Sequence, residues 1–398
     1  MWKRLARILR CPACQGPLVL FVFREDHPTI AAEHLDLARS RGLLDNEFRR
    51  RVEAGLLACD ACRLGYPVAR GLPVLVLYST AAHTQFLAEF RDELSAVKGS
   101  YPFPDRTPEP GERFVMASFS KEWGDYRYDG VLWKTSYQDQ EATFLQEIGE
   151  APPGATTFLE VGCGLGVMTS LAHQHFQVDA VGVDLSLASL QASQHYRENP
   201  FLHFVQASAF HLPFARQTFD MVYSRGVLHH TYSTPAAFAA VAPACREGGL
   251  MYLWVYGIGS IRASAFRRVA YAAETMARPV LSRAPSSPPA TVVLAAAALG
   301  YLAINRFQRR RHPGIQRYEF SRALHAARDR FTPRYAHRHQ PEEVAGWFRT
   351  TGFTDVQVVD WRAMPVAEQE NYQRNVGVRG RYWPMRTVST DTSSKSTS

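Results

Sequence analysis

Leu159-Glu-Val-Gly-Cys-Gly-Leu-Gly166 is the stretch on which the reading of this chain turns. An apolar, β-prone run, Thr157–Val161, leads into it, and Val167 onward has helical character. The segment therefore reads as strand, tight turn and helix. Its glycines fall at 162, 164 and 166. A dinucleotide fingerprint puts the third glycine one position later, where this chain has Val167. Glu160, two residues before the first glycine, would repel a pyrophosphate and suits a ligand with a positive end. Taken alone, the stretch also fits an ordinary turn between a strand and a helix.

Working outward, strand-like runs at 157–161, 180–184, 202–206, 221–224 and 250–256 alternate with helical signals. That alternation predicts a doubly wound parallel α/β sheet. Residues 258–340 interrupt it with basic, Ala-rich, mostly helical sequence. A helix over 341–350 and strands at 356–360 and about 375–378 then resume the pattern.

Asp184 ends the second of these strands, 22 residues after Gly162, where an acid can accept from both hydroxyls of a ribose. Gln206-Ala-Ser-Ala-Phe-His-Leu-Pro-Phe214 follows, then Phe219-Asp-Met-Val-Tyr-Ser-Arg-Gly-Val-Leu-His-His230, then Gly248-Gly-Leu. This order resembles the class I S-adenosylmethionine-dependent methyltransferases, in particular the small-molecule branch that includes ubiquinone and menaquinone biosynthesis enzymes. S-adenosylmethionine carries an ammonium and a sulfonium and no phosphate, which agrees with Glu160. The resemblance implies that Gly162, Cys163, Gly164 and Gly166 pass close to the cofactor, that Glu160 holds the methionine ammonium and that Asp184 holds the ribose. Leu185 would lie against the adenine, together with Ala209 and Phe210. Relatives usually have an acid where this chain has Ser208, so the adenine amine would meet a hydroxyl instead. His229 and His230 follow the fourth strand and are the candidate general bases, with packing as the alternative. Phe119, Trp123, Tyr126 and Tyr128, before the sheet, and Arg334, Tyr335, His337 and His339, after the insertion, are candidates to line a pocket or simply to pack.

Four of the six cysteines form two CxxC pairs, Cys11/Cys14 and Cys59/Cys62. No 7–15-residue apolar stretch or small-residue cleavage site follows the basic start of the chain, so the expectation is a cytoplasmic protein whose paired thiols bind metal rather than form disulfides. Four thiolates suffice for a tetrahedral zinc ion. A strand-like run at 18–23, a helical reading of about 30–57 and a strand at 74–77 surround them. Ile8-Leu-Arg-Cys-Pro-Ala-Cys-Gln-Gly-Pro-Leu18 and Cys59-Asp-Ala-Cys-Arg-Leu-Gly-Tyr-Pro-Val-Ala-Arg-Gly-Leu-Pro-Val74 resemble the zinc-ribbon activator subunit of tRNA, rRNA and release-factor methyltransferases. In that family a strand of the activator extends the sheet of its catalytic partner. Here the two are fused, so no separate activator subunit is expected.

The expected architecture is thus a Rossmann-like doubly wound α/β methyltransferase sheet with a helical insertion, plus a small N-terminal α+β zinc-ribbon domain. Expected divisions are 1–80 for the zinc ribbon, 81–150 for a linker and aromatic cap, 151–257 with 341–385 for the catalytic domain, 258–340 for a lid, and 386–398 for a disordered tail. At 46% hydrophobic and 21% charged residues the chain excludes collagen-like and wholly disordered classes. Net charge is +8, and residues 306–349 hold 11 Arg against 4 acids. Such a cluster attracts phosphate-bearing partners or an anionic membrane surface, or is merely a solvated face. The longest apolar run, 290–304, has 15 residues, short of the roughly 20 that span a bilayer. It is expected to be a buried lid helix, with peripheral membrane contact as the rival. The favoured acceptor is a small molecule or a glycan- or lipid-linked intermediate. RNA or protein methylation is the alternative, with nucleic acid less favoured.

Overall fold

The computed structural model describes residues 1–124, 126, 130–132, 135–259, 265–283, 287–311 and 315–383. Tyr128 and the Ser/Thr-rich tail lie outside the described residues. Near the start of the chain, β1 (Val19–Asp26), β2 (Arg51–Cys59), β3 (Leu64–Ala69) and β4 (Leu72–Leu75) pair antiparallel in sequence order. A short hairpin, β5 (Val131–Leu132) and β6 (Thr135–Ser136), stands apart. The α/β region contributes β7 (Thr157–Val161), β8 (Asp179–Asp184), β9 (Leu202–Ala207), β10 (Phe219–Arg225), β11 (Cys245–Val255), β12 (Phe353–Val358) and β13 (Val376–Tyr382).

Eleven of these strands form one sheet, ordered β1-β2-β3-β4-β9-β8-β7-β10-β11-β13-β12. β4 lies parallel to β9, with Val74 opposite Gln206 and Leu75 opposite Ala207, so the N-terminal module continues the α/β sheet without a break. The five central strands are buried on both faces, as parallel strands under helices must be. Leu159, Val161, Val181 and Val222 pack to one side, and Phe158, Ala180, Met221 and Tyr223 to the other. The chain order reverses between β7 and β10. Open α/β sheets bind ligands at that point, beyond the carboxyl ends of the strands.

Two expectations need correction. The helical reading of 30–57 holds only for Ala32–Ser40, because Arg51–Cys59 is a strand. Pairing on both sides, with β1 and with β3, outweighs the local pattern there. The second concerns the insertion, which forms helices Ala265–Arg283, Pro288–Arg311 and Phe320–Phe331. The apolar run of 15 is the middle of a 24-residue helix, which by length and composition alone is sufficient to cross a bilayer. Nor is it buried all round. Ala290, Leu294, Ala298 and Asn305 face inward, whereas Val292 is 68% and Leu299 60% exposed. Asn305 ties the inner face down by donating to Gln316 O and accepting from Tyr318 N.

Candidate functional site

The glycine turn follows β7 with backbone that side chains would obstruct. Gly162 has φ +81°, and a Cβ there would meet Val227 Cγ2 at 2.1 Å. Gly164 has φ +51°, and a Cβ would stand 3.4 Å from the Trp123 ring. The Asp184 carboxylate at the end of β8 fixes this turn. Its Oδ2 accepts from Gly164 N at 2.8 Å, and its Oδ1 accepts from the Ser186 N and Oγ, both at 2.7 Å. Burial pushes the Asp184 carboxyl up, and those three donors pull it back. Glu160, 5% exposed, accepts from Thr169 Oγ1, and burial pushes its carboxyl up to about 8.

A cavity lies beyond these strand ends. Gly162, Asp184, Leu185, Ser208, Ala209 and Phe210 line it, with Met116, Phe119 and Trp123 opposite. Helix Glu112–Gly124 supplies that opposite wall and brings in a residue absent from the motif-based reading. Glu112 reaches the same cavity, where its carboxylate accepts from Glu109 N at 3.2 Å, and burial raises its carboxyl while the nearby Ser208 hydroxyl lowers it. A buried acid therefore stands beside the position where relatives of the resemblance carry one in the strand loop.

A second, larger cavity adjoins the first and shares Trp123, Gly162, Arg225, Gly226 and Asp329 with it. Glu160, Cys163 and Gly164 lie on its floor, and the insertion forms its roof through Tyr271, Tyr301, Ile304 and Tyr318. Arg225 is held at the junction by Glu147, Nε to Oε1 3.1 Å, and by Glu368, Nη2 to Oε2 2.8 Å. Glu147 also accepts from the hydroxyls of Tyr223, Tyr252 and Tyr372. These contacts fix a partly buried cation where the cavities meet.

His230 lines the first cavity, close to this junction. Its Nδ1 lies 2.7 Å from Tyr335 O. A carbonyl only accepts, so Nδ1 carries the proton and Nε2 keeps a lone pair. Nε2 stands 4.0 Å from Asp329 Oδ1 and has no hydrogen-bond partner among the described residues. Burial holds the imidazole down at about 3, so His230 is neutral through the physiological range. Asp329 accepts from Tyr256 Oη at 2.8 Å, and burial raises its carboxyl.

The structure does not treat the two histidines alike. His229 is fully buried, lines neither cavity and packs with its ring centroid 4.0 Å from that of Tyr256. Its geometry is that of a packing residue, not of a base facing an acceptor. Arg334, Tyr335, His337 and His339 also miss both cavities. Tyr335 and His337 brace the turn instead, with Tyr335 O on His230 and His337 N donating to His229 O at 2.9 Å. Asp329, Tyr256, Arg225 and Glu112 are the residues that motif reasoning missed. Only Arg225, the last residue of β10 and directly before a glycine, carried a local signal.

The Sγ atoms of Cys11, Cys14, Cys59 and Cys62 lie within 4.8 Å of one another. Cys11 to Cys62 is 3.9 Å and Cys14 to Cys59 is 3.6 Å. Tetrahedral zinc with bonds of about 2.3 Å sets its sulfurs roughly 3.8 Å apart, so the donor set fits that ion with no coordination position left open. The Cys11–Cys14 knuckle also leans on the loop after β9. Arg10 N donates to Pro213 O at 2.8 Å, and Gln15 Nε2 donates to Leu212 O at 3.1 Å.

Residues 159–253 match the family model described as a methyltransferase domain, and residues 3–71 match that of the Trm112p-like proteins. The two matches lie in tandem on one chain, the Trm112p-like one first. A Synechococcus protein described as uncharacterized is 30% identical over 169 residues, 41% of this chain and 36% of that protein. Phosphoethanolamine N-methyltransferase 2 of Caenorhabditis elegans is 27% identical over 124 residues, 30% of this chain and 28% of its own length. The matches span about a third of the length of these curated relatives. Among solved structures, Haemonchus contortus phosphoethanolamine N-methyltransferase 2, in complex with phosphomonomethylethanolamine and S-adenosylhomocysteine, gives a TM-score of 0.42 at 14% identity, covering 71% of this chain and 62% of that one.

Proposed function

We propose that the chain is an S-adenosylmethionine-dependent methyltransferase acting on a small-molecule or glycan- or lipid-linked acceptor, with a structural zinc ion in its fused N-terminal domain. The observation that carries this reading is the pair of joined cavities at the switch point, one lined by the motif residues and the other roofed by the insertion. When bound, S-adenosylmethionine supplies a methyl group already activated by a sulfonium leaving group. Asp184 would accept from the ribose hydroxyls, and Leu185, Ala209 and Phe210 would flank the adenine. Ser208 and Glu112 would meet the adenine amine, and Glu160 the ammonium. Trp123 would close over the glycine turn.

In the second cavity the insertion would exclude water and align the acceptor, which is most of what an activated methyl donor requires. Where the acceptor must lose a proton, His230 Nε2 would take it and, with its imidazole held down at about 3, would pass it on to Asp329, 4.0 Å away with a raised carboxyl. His229 would position His230 by packing. The relatives named phosphoethanolamine N-methyltransferases, matched over part of their length, support a small acceptor. The roofed cavity favours that class over a folded RNA or protein, whose reacting group would have to enter beneath the three insertion helices.

The test is transfer of a radiolabelled methyl group into fractionated cell extract. Label is expected in the small-molecule and lipid fractions and absent from RNA and protein. Label confined to RNA or to protein would reverse the acceptor assignment.

A further inference from the structure

The insertion shows its surroundings an unusual surface. Helix Pro288–Arg311 exposes Val292, Leu299, Ile304 and Phe307, and helix Ala265–Arg283 exposes Val269, Met276 and Val280. Spacings of 7 and 4 put the second set on one narrow stripe of its helix, and spacings of 7, 5 and 3 spread the first over one broad side. Both helices pack on Phe320–Phe331 and leave these sides uncovered. Met276 is 80% exposed, which a core-facing lid would not leave open. The two helices together contain eight arginines and a single acid, Glu274. Glu274 is buried and occupied by Arg278, Arg330 and Arg338. Arg268, Arg283, Arg306 and Arg309 to Arg311 are exposed around the apolar sides.

We infer that helix Pro288–Arg311, with Ala265–Arg283 beside it, docks on an anionic lipid surface and that the acceptor is an amphiphile taken from that surface. The charge selects the occupant. A second copy of the chain would bring arginines against arginines in a symmetric contact, whereas anionic headgroups complement them. The cavity selects the acceptor class. Ile304 is 54% exposed and also lines the second cavity, next to Tyr301 and Gln308, so the roof helix presents its apolar side to solvent and to the cavity at one position. A polar head could enter there while its tail stayed in the lipid. The acceptor class rests on the function proposed above, but the docking itself is read without any methyl transfer.

The experiment is flotation of the full chain with vesicles of phosphatidylcholine alone or mixed equally with phosphatidylglycerol. At least tenfold stronger binding to the anionic vesicles is expected, falling as salt rises because surface charges are screened. Replacing Met276, Val292 and Leu299 together by serine should lower that binding at least tenfold while leaving cofactor affinity and melting unchanged. A second variant, Arg309→Gln with Arg310→Gln, should flatten the salt dependence. The inference is overturned if the chain does not float, if both variants float as the parent does, or if light scattering finds a dimer that the serine variant dissolves. Failure of methyl transfer in extracts would leave the flotation result intact, so the two ideas fail separately.

Discussion

Asp184→Ala is expected to weaken S-adenosylmethionine binding about ten- to a hundredfold, the largest effect of any single substitution in the first cavity. The carboxylate serves two ends. It accepts from Gly164 N, Ser186 N and Ser186 Oγ, which fixes the turn after β7 relative to the end of β8. It also lines the cavity where a ribose would lie. Hydrogen bonds to a charged group are worth roughly 1.5–3 kcal/mol each, and about 1.4 kcal/mol is a factor of ten in affinity. Asp184→Asn should be nearly as damaging, because its amide would turn a donor toward Gly164 N or toward Ser186. Isothermal calorimetry on both variants measures the effect. Unchanged affinity in Asp184→Ala would remove Asp184 from the cofactor site.

Loss of the zinc ligands should reach further. Cys59→Ser, or prolonged chelation, is expected to leave substoichiometric zinc and to unfold the module that precedes β4. In small zinc modules metal binding contributes on the order of 10 kcal/mol of folding free energy, more than such a small core supplies by itself. Cys11 and Cys59 have no exposed surface and belong to the same core cluster as Leu75, Phe214 and Val205. The damage should therefore cross into the methyltransferase domain. β9 would lose its β4 neighbour and present an open edge. The loop holding Leu212 and Pro213, braced by Arg10 and Gln15, would loosen just beyond Ser208–Phe210. Elemental analysis, limited proteolysis and cofactor titration of the same sample check this. A metal-free chain with a protease-resistant N-terminal module and unaltered cofactor affinity would refute it.

What could be read from the residues alone was whatever is decided locally. The glycine turn, the acid ending β8 and the strand–helix alternation each sit within a few residues, and the structure builds them as strands β7 to β11 around one switch point. The neighbourhood of β4 and β9 followed from resemblance, not from any pattern in Leu72–Leu75. β2 was misread because Val52, Ala54, Leu56 and Leu57 fit either period, and only pairing on both sides makes them a strand. Glu112 and Asp329 reach the site from helices on either side of the sheet sequence, so nothing near them announces it. His229 and His230 are adjacent in sequence, yet a tight turn sends one into the core and the other to the cavity. In helix Pro288–Arg311 an all-round apolar composition suggested burial. Its inward positions are instead Ala290, Leu294, Ala298 and Asn305, three of them small or polar, and much of its larger apolar side faces out.

The claim on which the rest depends is that the glycine turn and its flanking acids hold S-adenosylmethionine. Burial pushes Glu160 up to about 8, so at pH 7 it is mostly protonated in the empty site. An ammonium placed beside it favours the carboxylate, and binding must then expel a proton. Affinity should rise from pH 6 toward 8, as Glu160 becomes ionised before the ligand arrives, and fall at higher pH as the ligand loses its own ammonium proton. The direct measurement is calorimetric titration at pH 7 in two buffers of different ionisation heat, with methylthioadenosine, which lacks the ammonium, as the control. Binding of S-adenosylmethionine with proton release, and of methylthioadenosine without it, is the predicted result. No binding, or binding with the same proton count for both ligands, would contradict the account.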